Sequence, residues 1–213
     1  MQTYINFGLI DVVGKRYVEN SYMTVENGVI RSVGSMASLT QEQKQGAVDL
    51  SGKTVMPGMF NCHIHALSSP IAAPESLNWE TSGMFALRGL RHLQQQLQSG
   101  VAFVRDMNGR KLAEVDLKNA LNQGLFVGPN YYIARQCLCM TGGHGCNTGR
   151  ECDGAVDCKK AAREQIKGGA DFVKIMATGG VNSDTRPEFS QLDLEEMTAA
   201  INEAHRAGKK TAT

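Results

Sequence analysis

The stretch Val55-Met56-Pro57-Gly58-Met59-Phe60-Asn61-Cys62-His63-Ile64-His65 decides the fold. It reads as an apolar strand, introduced by a Pro-Gly turn, whose end delivers two imidazoles to one point. Side chains on a strand alternate with period two, so His63 and His65 face one side and Ile64 the other. Neutral imidazole is the commonest protein ligand for zinc and its neighbours, so the pair can supply half of a metal site. Two polar residues at a strand end would carry the same pattern, and the spacing alone leaves both readings open. On strict alternation, Cys62 points away from the histidines and reads as a small core residue.

Downstream, the pattern repeats as strand, helix, strand, helix. Strands are expected at 53–60, 101–106, 129–134 and 171–176, and helices at about 80–98, 111–122, 156–167 and 191–206. In the last helix, Leu194, Met197, Ile201 and Ala204 fall at helical spacing, with Ser190 as the expected N-cap and Gly208 as the stop. Such alternation implies a parallel sheet with right-handed crossovers, either an open doubly wound sheet or a (β/α)8 barrel. The barrel is favoured, because barrel chemistry collects at the C-terminal ends of strands, where His63 and His65 lie. Upstream, residues 1–52 alternate β-branched and aromatic residues with polar ones and turn at Asn27-Gly28, a strong hairpin cue. They are expected to form a small β-sandwich unit, with the polar stretch from Thr40 to Gly46 as a surface connection.

Composition narrows the function classes. The 213 residues are 42% hydrophobic and 20% charged with a net charge of +1, a globular balance that marks no nucleic-acid or anionic-membrane surface. No apolar run approaches the roughly 18 residues of a membrane span, and Met1-Gln2-Thr3-Tyr4 lacks a basic secretory start, so a cytoplasmic address is expected. Five of the six cysteines, Cys137, Cys139, Cys146, Cys152 and Cys158, crowd together without a C-x2-C pair. Free thiols fit them better than a structural zinc knot.

Lys174 is the second anomaly. It sits among apolar residues in Asp171-Phe172-Val173-Lys174-Ile175-Met176. There an ammonium loses hydration at a cost of several kcal/mol unless it is paired or neutralised. An acid such as Asp106 could pair it; alternatively, a buried lysine of depressed pKa can react as a free amine. His92 and His205 fall on helices and are expected to face solvent. Trp79, Tyr131-Tyr132 and Asp106-Met107-Asn108-Gly109 read as packing or turn residues, with Asp106 a weak site candidate at the end of its strand. His144 lies in the Gly-rich loop Met140-Thr141-Gly142-Gly143-His144-Gly145, which brings its backbone close to something or simply flexes.

Pro57-Gly58 with His63-Ile64-His65, the Gly142-Gly143-His144-Gly145 loop, and Asp171 to Met176 followed by Ala177-Thr178-Gly179-Gly180 together resemble the amidohydrolase superfamily, in its imidazolonepropionase-like and Xaa-Pro dipeptidase-like branch. The resemblance implies a hydrolase on a metal-dependent (β/α)8 barrel that cleaves an amide or peptide-like C–N bond with metal-activated water. It implies His63, His65 and a carboxylated Lys174 as ligands to two divalent ions, zinc foremost. His144 and Gly143 would contact a small-molecule amide or dipeptide. Neither nucleic acid nor membrane is implied as a partner, and homo-oligomerisation is compatible with the family. The remaining histidine ligands and the catalytic aspartate are expected beyond Thr213. A full barrel takes about 250 residues, so residues 53–213 read as its first half, about four βα units and the start of a fifth strand, in a fragment inactive by itself. A non-catalytic metal- or partner-binding remnant, and a small-ligand-binding α/β protein, are the alternative readings.

Overall fold

A computed structural model describes residues 1–69, 79–180 and 185–213. The chain divides into two units, Met1–Gly58 and Met59–Thr213. The division falls beyond Gly52 because Thr54–Val55 belongs to the first unit, where it pairs in parallel with the first strand (Gly8 opposite Thr54, Leu9 opposite Val55). The strand expected over 53–60 is thus two strands separated by Pro57-Gly58.

The first unit is one five-stranded sheet rather than two packed layers. β1 (Gln2–Asp11) pairs antiparallel with β2 (Arg16–Glu26), β2 with β3 (Val29–Ser35), and β1 also pairs in parallel with β4 (Val48–Asp49) and β5 (Thr54–Val55). Asn27 and Gly28, at φ of 51° and 75°, form the turn that closes β2 onto β3 with Glu26 opposite Val29. Two successive positive φ values match the right-handed twist of the flanking strands. The stretch expected as a plain connection holds a short helix, α1 (Gln41–Lys44), which starts on a capping box between Thr40 and Gln43.

In the second unit, β6 (Met59–Ile64), β7 (Val101–Asp106) and β8 (Asn130–Ile133) form a parallel sheet. After β8 come the short parallel pair β9 (Leu138–Cys139) and β10 (Arg150–Glu151), then β11 (Phe172–Lys174) parallel to β12 (Lys210–Ala212). The sheet continues from β8 and β9 to β11 through the amide of Asp171, which donates to the Ile133 carbonyl at 2.8 Å, and a parallel bridge between Leu138 and Ile175. Helices α2 (Ser82–Gln98), α3 (Ala113–Asn122), α4 (Ala155–Lys167) and α5 (Leu194–Arg206) alternate with the strands. No described helix is long and apolar enough to cross a membrane.

The helices pack on one side of this sheet. Phe85 and Leu93 of α2, buried two turns apart, meet Val104, Leu117, Tyr131 and Ile133 in one cluster; Val173 and Ile175 meet Ala161, Ala200 and Ala204 of α4 and α5 in another. α5 starts at Asp193 rather than Ser190, because Asp193 and Glu196 cap each other reciprocally. It ends as expected before Gly208, whose φ of 69° turns the chain out of the helix.

Candidate functional site

β6 does not alternate strictly. Asn61 donates to Gln96 of α2 at 3.2 Å, and Ile64 packs on the cluster that α2 contributes to, so residues three apart both face the helices. The register with β7 shifts between them. This bulge removes Cys62 from the helix-packed side and leaves it exposed, against the expectation of a core residue. His63 and His65 still flank Ile64 on a shared side, with their ring centroids 5.4 Å apart and nearly edge-on at 74°.

Val173 and Ile175 face α4 and α5, so Phe172 and Lys174 face the opposite side. There Lys174 joins the histidines. His63, His65, His144 and Lys174 line one cavity of about 340 Å³, together with Met176 to Gly179 and Thr213. His144 is held through its backbone amide, which donates to Gln191 Oε1 at 2.8 Å. Its ring occupies the space that a Cβ on Gly180 would take, 2.1 Å from Nδ1. Gly143, expected at the substrate, is instead buried against Met140 and Gln191 and does not line the cavity.

Lys174 is only 6% exposed and has no ion pair among the described residues. Burial lowers its pKa; the nearby Arg105 guanidinium adds to that, and Cys137 opposes it. Asp106 is not its partner. The Asp106 carboxylate accepts from the Tyr131 hydroxyl at 2.6 Å, the Ala66 amide at 3.3 Å and the Asn108 amide at 3.4 Å. Complete burial nevertheless pushes its pKa up to about 7, against the pull of those hydrogen bonds. Tyr131 and Asp106 are therefore more than packing and turn residues: with His92, whose Nδ1 lies 2.8 Å from the Ala66 carbonyl, they fix both polar groups of the residue that follows His65. His92 is thus not a plain surface residue, whereas His205 is exposed as expected. Trp79 is 89% exposed rather than packed. Asn108 extends the brace, accepting from the Cys137 amide at 3.0 Å and donating to the Thr148 hydroxyl in the loop that carries His144.

Both imidazoles are held towards the neutral form. Burial is the largest cause for His63, followed by Lys174 and Arg105. His65 retains solvent access, yet it is lowered to about 4 by desolvation and then by the neighbouring His63, Lys174, Arg110 and His144. Two neutral imidazoles suit a divalent cation, whereas an ammonium on Lys174 would repel one; a carbamate there would fit. Among the described residues no group of three or more His, Cys, Asp or Glu side chains is placed to hold a metal. The cysteines follow suit: all six are free, and Cys152 and Cys158, with Sγ atoms 3.2 Å apart, sit buried with their thiol pKa values raised.

Comparison with known proteins gives this cavity a context. The ochratoxinase of Aspergillus niger is 28% identical over 240 residues, covering 97% of this chain and 48% of that protein. Its crystal structure matches at a TM-score of 0.82 and 26% identity, over 99% of this chain and 55% of that one. A prolidase complexed with N-methylphosphonate-L-proline matches at a TM-score of 0.85 and 29% identity, again over 99% and 55%. The chain spans about half the length of these relatives, and its second unit has the fold of the corresponding part of the amidohydrolase (β/α)8 barrel. The family's sequence pattern runs from residue 54 to residue 213 and takes in every residue that lines the histidine cavity; the chain belongs to the amidohydrolase family.

Proposed function

We propose that the protein hydrolyses an amide or peptide-like C–N bond of a small molecule, with divalent metal, zinc foremost, held by His63, His65 and a carboxylated Lys174. One observation carries this reading: three imidazoles and a buried lysine with no ion pair among the described residues share a single cavity at the C-terminal ends of parallel strands. When bound, two divalent ions would polarise the scissile carbonyl and make water acidic enough to attack near neutral pH. The chain's own residues do the rest of what can be assigned to them. His63 and His65 offer lone pairs, since their environment disfavours protonation. The neutral amine of Lys174 adds to carbon dioxide, forming an N–C bond and releasing one proton, which replaces a cation-repelling group with an anionic one. His144, steadied by Gln191 and given room by Gly180, contacts the substrate.

The names of the relatives guide the choice of substrates to try: dipeptides ending in proline, because of the prolidase, and N-acyl amino acids as simple amides. No Asp or Glu lines the cavity among the described residues.

The test combines elemental analysis of the purified protein, 13C NMR after equilibration with labelled bicarbonate, and turnover of the two substrate classes. The expected result is retained divalent metal and a carbamate carbon signal that vanishes in Lys174→Met together with metal and activity. Wild-type protein that retains no metal and shows no carbamate signal would overturn the reading, as would Lys174→Met protein that hydrolyses these amides like the wild type.

A further inference from the structure

His92, expected to face solvent, belongs to a polar row on α2. Arg88, His92 and Gln96 follow one another at a spacing of four, which lines them along one side of the helix, and all three are half-buried. Each reaches β6 or the turn that follows it. Gln96 Oε1 accepts from Asn61 Nδ2 at 3.2 Å, His92 Nδ1 lies 2.8 Å from the Ala66 carbonyl oxygen, and Arg88 Nη1 donates to the Leu67 carbonyl at 3.2 Å. Because a carbonyl only accepts, the His92 ring carries a hydrogen on Nδ1. Arg88 is itself held by Glu80 at 2.6 Å, and Gly89 beside it admits the Leu67 side chain, whose Cδ2 would lie 2.8 Å from a Cβ there. The row thus fastens β6 and its exit to α2 at three points.

His65 lies between these anchors. Its ring is exposed and makes no hydrogen bond among the described residues; it lines both the histidine cavity and an adjoining one of about 370 Å³, which His92 also lines. Open space on both sides leaves the position of the ring to the backbone that carries it. That backbone is held atom by atom. The Ile64 carbonyl accepts from the Met107 amide at 3.0 Å, the His65 carbonyl from the Ser68 amide at 3.1 Å, and the Ala66 amide donates to Asp106 at 3.3 Å. The Ala66 carbonyl depends on His92. Ala66 is only 3% exposed, and a buried carbonyl without a partner is costly. Loss of the His92 donor would therefore turn this carbonyl towards the adjoining cavity and swing His65 with it.

We propose that His92 is a positioning residue for His65: its Nδ1–H fixes the Ala66 carbonyl and, through it, the direction from which the His65 imidazole meets a divalent cation. The inference rests on the reading of His65 as a metal ligand and adds to it the group on α2 that aims that ligand. Groups that orient a metal ligand without touching the metal contribute roughly 10–100-fold to metal affinity.

The test compares His92→Leu, which fills similar space without a donor, with His92→Asn, whose Nδ2 stands the same number of bonds from the backbone as Nδ1. Two quantities are read without turnover: the zinc Kd, by competition with a chromophoric chelator in bicarbonate buffer, and the His65 ring resonances of the metal-free protein. His92→Leu is expected to raise the zinc Kd by at least about tenfold and to displace the His65 resonances, whereas His92→Asn keeps the Kd within about threefold of wild type and the resonances in place. If His92→Leu does not fold by circular dichroism, His92→Ala, which adds no bulk, replaces it in both comparisons. The proposal is overturned if the folded donor-less variant leaves both quantities unchanged, or if His92→Asn disturbs them as much as that variant does. Wild-type protein that binds no zinc would end the metal reading and leave the resonances to decide: displacement in the donor-less variant alone upholds the positioning role, and no displacement overturns it.

Discussion

Replacing Asp106 with asparagine should flatten the dependence of stability on pH. Asp106 is 1% exposed, and its pKa is raised from the ordinary 3.8 to about 7. A carboxyl that binds its proton more tightly when folded contributes stability that is complete below the unfolded pKa and disappears as pH rises through the folded one. With those two values, its contribution falls by about 3 kcal/mol between roughly pH 5 and pH 8.5. Asparagine is nearly isosteric: its carbonyl can still accept from Tyr131 and Ala66, and it carries no charge at any pH. His65 titrates in the opposite sense, its depressed pKa removing stability as pH falls from 6.5 towards 4, so only the difference between variant and wild type isolates Asp106. The four long helices among the described residues all lie in the second unit, so the helical circular dichroism signal, followed in denaturant with chelator present, reports on that unit. A wild-type-minus-variant stability difference that stays constant to within about 0.5 kcal/mol across this pH range would refute the reasoning, since one buried carboxyl of this pKa cannot give it.

Three further outcomes can be checked. Tyr131→Phe removes the 2.6 Å donor to the Asp106 carboxyl and should cost about 1–3 kcal/mol in the same unfolding experiment, more at high pH than at low, because the bond is stronger to the charged acceptor. Gly180→Ala places a methyl 2.1 Å from His144 Nδ1, so it should move the ring, visible as changed His144 NMR shifts, and raise KM for any amide the enzyme turns over, with little change in melting temperature. In the metal-free protein, NMR titration of His65 should give a midpoint near 4; a midpoint above 6 would mean that desolvation and the neighbouring charges do not bear on the ring as the structure indicates.

Local signals were readable from the sequence, and long-range ones were not. Asn27-Gly28 announces its turn because two positive φ values are a property of those residues themselves, and Gly208 announces a helix stop for the same reason. The start of α5 was also legible: Asp193 and Glu196 have the spacing of a capping box, which outweighs the serine three positions earlier. Cys62 could not be placed, because the bulge in β6 depends on how that strand registers with β7, more than 35 residues away. Asp106 and Tyr131 look like an ordinary strand end and an ordinary core aromatic. Their pairing depends on β7 and β8 lying side by side, with Val104 opposite Tyr131 and Asp106 one step diagonal to it. Lys174 was legible as an anomaly, but only the folded chain removes Asp106 as its partner.

The electrostatics around Lys174 bear on what that residue becomes. His63, His65 and Lys174 are all shifted towards their neutral forms, and Arg105 acts in that direction on both His63 and Lys174. Arg105 is fixed in place, its Nε donating to the Cys62 carbonyl at 2.9 Å and its guanidinium lying 5.3 Å from the centroid of the Phe172 ring. An arginine keeps its charge at any ordinary pH. Arg105 thus stands as a permanent cation beside three bases whose pKa values are all lowered, and no Asp or Glu lines the cavity among the described residues. The proposed addition of carbon dioxide to Lys174 would reverse the sign at its end of the cavity: an anion there would meet the field of Arg105 favourably and make room for positive charge beside the two imidazoles. A divalent ion arriving before that step would meet the charge of Arg105 with no anion to offset it, so the proposed carboxylation would precede or accompany metal binding, and metal uptake by protein stripped of carbon dioxide should be slow until bicarbonate is restored.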